Sequence, residues 1–273
     1  MAKVVGGAAG PHSPVVYKLP WEESEEYTSS MDKLRNALMD IGRELRRLEV
    51  DTLLVFAADH VQTFWFGCFP QMMIFTGDEA DYSVNGHKIM RIRSDHEMAE
   101  ELLFKLVEEE FDVGFMQEVE FFDHPFTVPV YWILKGFGEN NLKVLPFQLN
   151  TNVHPRVSPK RCYKLGQAVR KILEKSSKKN RIFVIGTGGL SHYPGTPYYG
   201  NVDEEADRWI INKLEKCEIS RLAELDYEWL DATGNHELGT WIAAAAAVNP
   251  SSTEILMYWR PWNNGYCVAR FNP

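Results

Sequence analysis

Apolar and polar positions along this chain follow two periods. VVGGAAG (4–10), TLLVFAA (52–58), KVLPFQL (143–149) and RIFVIGTG (181–188) are short, nearly continuous apolar runs. Runs of that length predict strands buried on both faces. VPVYWIL (128–134), β-branched and aromatic, predicts another strand. Between the runs the period changes. Residues 29–48 place Met31, Leu34, Leu38, Ile41 and Leu45 on one helical face. Residues 95–110 predict a helix with acidic residues loaded early, as the macrodipole prefers. Residues 159–174, 203–216 and 218–226 predict three more. Asn235 predicts the cap of a helix running through WIAAAAAV (241–248). EILMYWR (254–260) and GYCVARF (265–271) predict a hairpin across PWNN. Strands alternating with helices predict an α/β fold, a single domain over 1–273 with a mixed central sheet flanked by helices. Residues 61–93 read as the longest irregular stretch, and so long a loop is usually functional or an interface.

Composition narrows the partners. The chain has 273 residues, 45% hydrophobic, with a formal net charge of −9. An acidic chain is a poor match for nucleic acid, whose phosphates need a basic patch. The one basic cluster, Lys175 to Arg181, reads as a solvated loop between a helix and a strand. No run approaches the ~20 apolar residues that span a bilayer, and MAKVVGGAAG lacks the apolar core of a signal peptide. The expectation is a cytoplasmic protein that does not engage a membrane. Cys68, Cys162, Cys217 and Cys267 form no CxxC pair and are expected to be free thiols. The acidic, aromatic-rich surface favours a homo-oligomer.

The candidate chemistry lies in the histidines. His12 follows the first apolar strand, His60 the second and His192 the strand at 181–188. Ligand crevices of α/β sheets lie at the carboxyl ends of the strands, so these side chains can converge. Asp59 is either a carboxylate supporting His60 or the cap of the following turn. Glu237, in the first turn expected after Asn235, is either a capping residue or a buried ligand. Its neighbour His236 points about 100° away on a helix and cannot share a metal with it. The glycines at 186, 188 and 189 are neither a dinucleotide fingerprint, because Ser191 stands where its last glycine belongs, nor a nucleophile elbow, which Tyr193 breaks. Two histidines and a carboxylate suit non-haem Fe(II) oxygenases and catalytic zinc alike, and the residues alone leave both open.

GPHSP (10–14), ADH (58–60), FDHPFTVP (122–129), GGLSH (188–192) and NHELGTWIAAAAA (235–247) together, in this order, resemble the class III extradiol dioxygenases. These form the LigB-like superfamily, which includes the catalytic β subunit of protocatechuate 4,5-dioxygenase. The resemblance spans residues 10 to about 247. It implies Fe(II) held by His12, His60 and Glu237, with His192 as the acid–base residue. It implies that His124 contacts the substrate and moves protons, with Asp123 beside it, and that Tyr193 faces the substrate or a partner. The implied reaction opens a catechol-type ring, such as protocatechuate or gallate, with O2, beside the diol. Alternatives are an aminophenol or hydroxypyridine ring at the same iron, or a zinc-dependent hydrolase. Trp65, Phe64, Phe66, Phe69 and Met72 are candidates for an aromatic pocket. Some relatives work with a small accessory subunit.

Overall fold

The computed structural model describes residues 1–19, 21–138 and 141–273. The chain runs through β1 (Lys3–Gly10), α1 (Pro14–Tyr17), α2 (Glu25–Arg47), β2 (Thr52–Ala57), β3 (Met72–Phe75), β4 (Glu79–Val84) and β5 (His87–Arg93). It continues through α3 (His96–Glu108), β6 (Gly114–Met116), α4 (His124–Phe137), β7 (Lys143–Leu149), α5 (Pro159–Lys175) and β8 (Arg181–Thr187). It closes with α6 (Glu204–Glu215), α7 (Ile219–Leu222), α8 (Tyr227–Thr233), α9 (Leu238–Val248), β9 (Ser252–Trp259) and β10 (Tyr266–Asn272).

Eight strands form one sheet in the order β6-β3-β7-β2-β8-β1-β10-β9. The centre, β7-β2-β8-β1, is parallel. β10 joins β1 antiparallel and β9 joins β10 antiparallel, the closing hairpin expected from the sequence. The sheet is therefore mixed, as predicted. Both of its faces are covered, and the pleat divides each central strand between two cores. Leu54 and Phe56 of β2 and Ile182 and Val184 of β8 join a core with α3, α5, α6 and α9. Leu53 and Val55 of β2 and Phe183 and Ile185 of β8 join a second core with α2 and α4. This alternation explains why the strands read as unbroken apolar runs: each side chain, whichever way it points, is buried. Fully burying a side chain such as Phe56 contributes about 3 kcal/mol.

α9 is buried along its whole length. Its run of alanines allows α5 to approach so closely that a Cβ on Gly166 would stand 2.3 Å from the Ala243 carbonyl oxygen. The Thr240 hydroxyl, 2.8 Å from the carbonyl of Thr187, ties the first turn of α9 to the end of β8.

Several elements differ from the sequence reading. VPVYWIL is not a strand but the body of α4. Pro125 sits at its start, where a proline costs no helical hydrogen bond, and burial from His124 to Val130 favours apolar residues whatever their local propensity. Residues 61–93 are not wholly irregular. They contain β3, which pairs with β7, and the antiparallel pair β4-β5. Helix in 218–226 is limited to Ile219–Leu222. α2 begins at Glu25, one turn before the apolar stripe, capped by the Ser24 hydroxyl on the Tyr27 N–H. α9 starts at Leu238 with Glu237 in the cap position, whereas Asn235 closes α8 through its N–H to the Leu230 carbonyl. The four cysteines are free thiols. Among the described residues no helix is long and apolar enough to cross a membrane.

Candidate metal and ring-cleavage site

β1, β2 and β8 are parallel neighbours, so their carboxyl ends open on one side of the sheet. His12, His60 and His192 follow those three ends, and the N-terminus of α9 brings Glu237 to the same place. His12 Nε2 lies 2.9 Å and His60 Nε2 2.7 Å from Glu237 Oε1, and the two nitrogens are 3.2 Å apart. His192 Nε2 is 3.7 Å from Glu237 Oε2. The His124 ring lies 4.9 Å from that of His60 and 5.7 Å from that of His12, centroid to centroid. His12, His60 and His124 each offer a ligand atom within 4.8 Å of the others, a group that can hold a metal ion.

The network behind these side chains fixes their protons. The Thr187 hydroxyl has a single hydrogen, which it donates to the Pro125 carbonyl at 2.8 Å. At 3.2 Å from that oxygen, His12 Nδ1 must therefore be the donor, and its Nε2 carries a bare lone pair. Burial lowers the His12 pKa, against the pull of Glu237, and favours this neutral ring. Glu237 is turned in the same way. Its Oε2 accepts the Gly189 N–H at 2.7 Å, leaving Oε1 to the histidines. Gly188 is needed beside it, because a Cβ there would stand 2.7 Å from the Glu237 Cβ. Burial works against the Glu237 charge, and positive charge among the surrounding imidazoles of His12, His192 and His60 holds its pKa well below the ordinary carboxylate range.

A neutral nitrogen lone pair thus faces a carboxylate oxygen at hydrogen-bond distance. That meeting needs a positive charge between or beside the two. Burial opposes a proton on His60, but Glu237, Asp59 and Asp123 outweigh it and raise the His60 pKa. A metal cation satisfies the same demand. Ligand atoms about 2.1 Å from a metal and about 90° apart are separated by about 3 Å, and the three separations here are 2.7, 2.9 and 3.2 Å.

His192 and His124 have their own anchors. His192 Nδ1 donates to the Leu190 carbonyl at 2.7 Å, so Nε2 is the free acceptor. Burial lowers its pKa and keeps it neutral. His124 Nδ1 is hydrogen-bonded to the Asp123 carboxylate. Burial, the first cause, brings the His124 pKa down to about 4 despite that partner. Asp123 is fully buried and also accepts from the Ser83 hydroxyl at 3.3 Å. Its carboxylate is spent on orienting His124.

Other residues singled out in the sequence have partners outside the cluster of ligand atoms. Asp59 is the cap of the next turn: its carboxylate accepts the N–H groups of Gln62, Thr63 and Phe64 at 3.0, 3.0 and 3.2 Å. His236 turns toward Asp231, 3.1 Å away, instead of joining Glu237. The Tyr193 hydroxyl donates to the Ala232 carbonyl at 2.8 Å, closing its own loop. Of the aromatic stretch, Phe64 and Met72 are core residues, while Trp65 and Phe66 are 67% and 78% exposed. The aromatic pocket is therefore not assembled as a unit. The sequence reading missed Asn152, whose Nδ2 lies 3.3 Å from both Glu237 Oε1 and His60 Nε2. It also missed Thr187. Asn152 follows the end of β7 and Thr187 ends β8, so the strand-end rule that found the histidines could have found both.

The chain matches the family described as the catalytic LigB subunit of aromatic ring-opening dioxygenase over residues 6–262, and it belongs to that family. It is an extradiol ring-cleaving dioxygenase. The 2,3-dihydroxyphenylpropionate/2,3-dihydroxicinnamic acid 1,2-dioxygenase of Klebsiella pneumoniae (strain 342) is 23% identical over 287 residues, covering 87% of each chain. The Dechloromonas aromatica enzyme of that name is 24% identical over 279 residues, 83% of this chain and 87% of its own. Gallate dioxygenase of Pseudomonas putida is 29% identical over 140 residues, 50% of this chain and 41% of that enzyme. The crystal structure of an uncharacterized protein from Escherichia coli K12 superposes with a TM-score of 0.62 at 10% identity, over 98% of this chain and 100% of that one, which speaks for the fold alone.

Proposed function

We propose that this chain is a non-haem Fe(II)-dependent dioxygenase that opens a catechol-type ring beside its diol, with His12, His60 and Glu237 as the iron ligands. One observation carries this reading: His12 Nε2, His60 Nε2 and Glu237 Oε1 converge within 3.2 Å, with the His12 lone pair turned to the carboxylate oxygen. Two imidazoles and a carboxylate with positions left open are the ligand set of Fe(II) oxygenases. Glu237 is preferred to His124 as the third ligand because Oε1 already touches both nitrogens, whereas His124 is drawn aside by Asp123.

Bound there, Fe(II) supplies a template for the diol and O2 and a path for electrons between them. The protein does the rest. A catechol must lose protons to chelate, and His192 Nε2 is the neutral, unpaired acceptor at the site edge that takes one. The same nitrogen returns the proton as the ring opens. His124, its tautomer set by Asp123, lies beside the His12 and His60 rings, where it can contact the substrate. Asn152 Nδ2 steadies Glu237 by donating to its Oε1 and lies against His60 Nε2.

The substrate class rests on the vicinal diols in the names of the relatives, 2,3-dihydroxyphenylpropionate and gallate. Cytoplasmic location and homo-oligomerisation belong to the same proposal. The test is oxygen uptake by Fe(II)-loaded protein across catechols, gallate, protocatechuate and aminophenols. Uptake with at least one vicinal diol is expected. Uptake with aminophenols alone moves the substrate assignment, and none with any ring refutes the reading.

A further inference from the structure

Asp207 lies on α6, fully buried, and takes no part in the chemistry described so far. A buried carboxylate is costly unless its lone pairs are met. Here they are met from two directions. Oδ1 accepts the Ser191 N–H at 2.9 Å, and Oδ2 accepts the Tyr258 hydroxyl at 3.1 Å. Gly265 leaves the room: a Cβ there would stand 2.1 Å from Asp207 Oδ2. The backbone of Gly265 in turn grips the same turn, exchanging hydrogen bonds with Leu190 and Ser191 at 3.0 Å each.

The Ser191 N–H and the Leu190 carbonyl belong to one planar peptide unit. Its N–H is given to Asp207 and its carbonyl accepts His192 Nδ1–H at 2.7 Å. Carboxylate, peptide and imidazole thus form one unbroken chain of hydrogen bonds. Bonds in series polarise one another, so a carboxylate pulling on the N–H makes the carbonyl a better acceptor.

We propose that Asp207 is a positioning residue for His192, acting through the Leu190–Ser191 peptide to hold the Nδ1–H tautomer and keep Nε2 turned to the substrate. This rests on His192 being the proton carrier. The Asp207 pKa, lifted by burial and restrained by its donors, stands at about 6, so the carboxylate is charged at neutral pH.

The test is a double-mutant cycle on the Fe(II)-loaded full chain. Asp207→Asn is expected to lower kcat about tenfold, with KM changed less than about twofold, as a small misplacement of a reacting group does. Metal content should stay at the wild-type level and the solvent deuterium isotope effect on kcat should rise, because proton transfer becomes more limiting. In a His192→Ala background the same substitution should change kcat by less than about twofold, since the residue it serves is gone. A tenfold loss in both backgrounds overturns the proposal. So does a loss that tracks the folded fraction with an unchanged isotope effect. If Asp207→Asn does not fold, Tyr258→Phe removes one donor to the carboxylate. A loss of about threefold, absent in the His192→Ala background, is then expected, and an unreduced kcat overturns the proposal. Full activity of His192→Ala alone instead defeats the proton-carrier reading, and Asp207 with it.

Discussion

Glu237→Ala is expected to strip the protein of iron and, with it, of oxygen uptake. Glu237 Oε1 is the atom that both His12 Nε2 and His60 Nε2 meet, at 2.9 and 2.7 Å. Removing a partner that merely orients a metal ligand costs about 10–100-fold in metal affinity. Removing the ligand itself should exceed that range. Among the described residues the change also withdraws the one carboxylate at hydrogen-bond distance from both rings, leaving two neutral imidazoles to hold a dication. Gly189 N–H would lose its acceptor as well. Metal analysis after dialysis, beside circular dichroism to confirm the fold, reads the result. Iron at the wild-type level would refute the ligand assignment.

His192→Ala should behave in the opposite way, keeping the metal and losing turnover. Its Nε2 stands 3.7 Å from Glu237 Oε2 and does not take part in the tight cluster. Loss of a positioned acid–base group typically costs about 10²–10⁴-fold in rate. The sign of the pH effect follows from burial, which lowers the His192 pKa below its usual value. The base is therefore free at neutral pH, and wild-type kcat/KM should fall only as pH drops below about 6.5. That acid limb should be missing from the residual activity of His192→Ala. An iron content that falls in step with activity would make His192 a ligand instead.

Much of the site could be read from the sequence because of one topological regularity. His12, His60 and His192 each follow an apolar run. The runs became β1, β2 and β8, parallel and adjacent, so their ends face the same crevice. No spacing rule was needed for residues so far apart. Glu237 was harder. Its position two residues after Asn235 suggested the first helical turn, but the polypeptide delays α9 to Leu238 and leaves Glu237 in the cap position. The strand reading of VPVYWIL failed because β-branched and aromatic residues report burial more than backbone preference, and α4 is buried against α2 in the second core. Residues 61–93 hid three short strands because charged positions in β4 and β5 break the alternation. Asp207 gave no local signal at all, and Thr187 and Asn152 were marked only by their places at the ends of strands. Their roles depend on partners tens to hundreds of residues away, such as His12 on Thr187 and Ser191 on Asp207.

Titrating the metal-free chain with Fe(II) under argon, then admitting O2 and a vicinal diol, tests the central claim most directly. Oxygen uptake should rise with added iron and break at a single iron per chain, with one O2 consumed for each ring opened. Turnover that is independent of iron, or supported equally by zinc, would contradict the account.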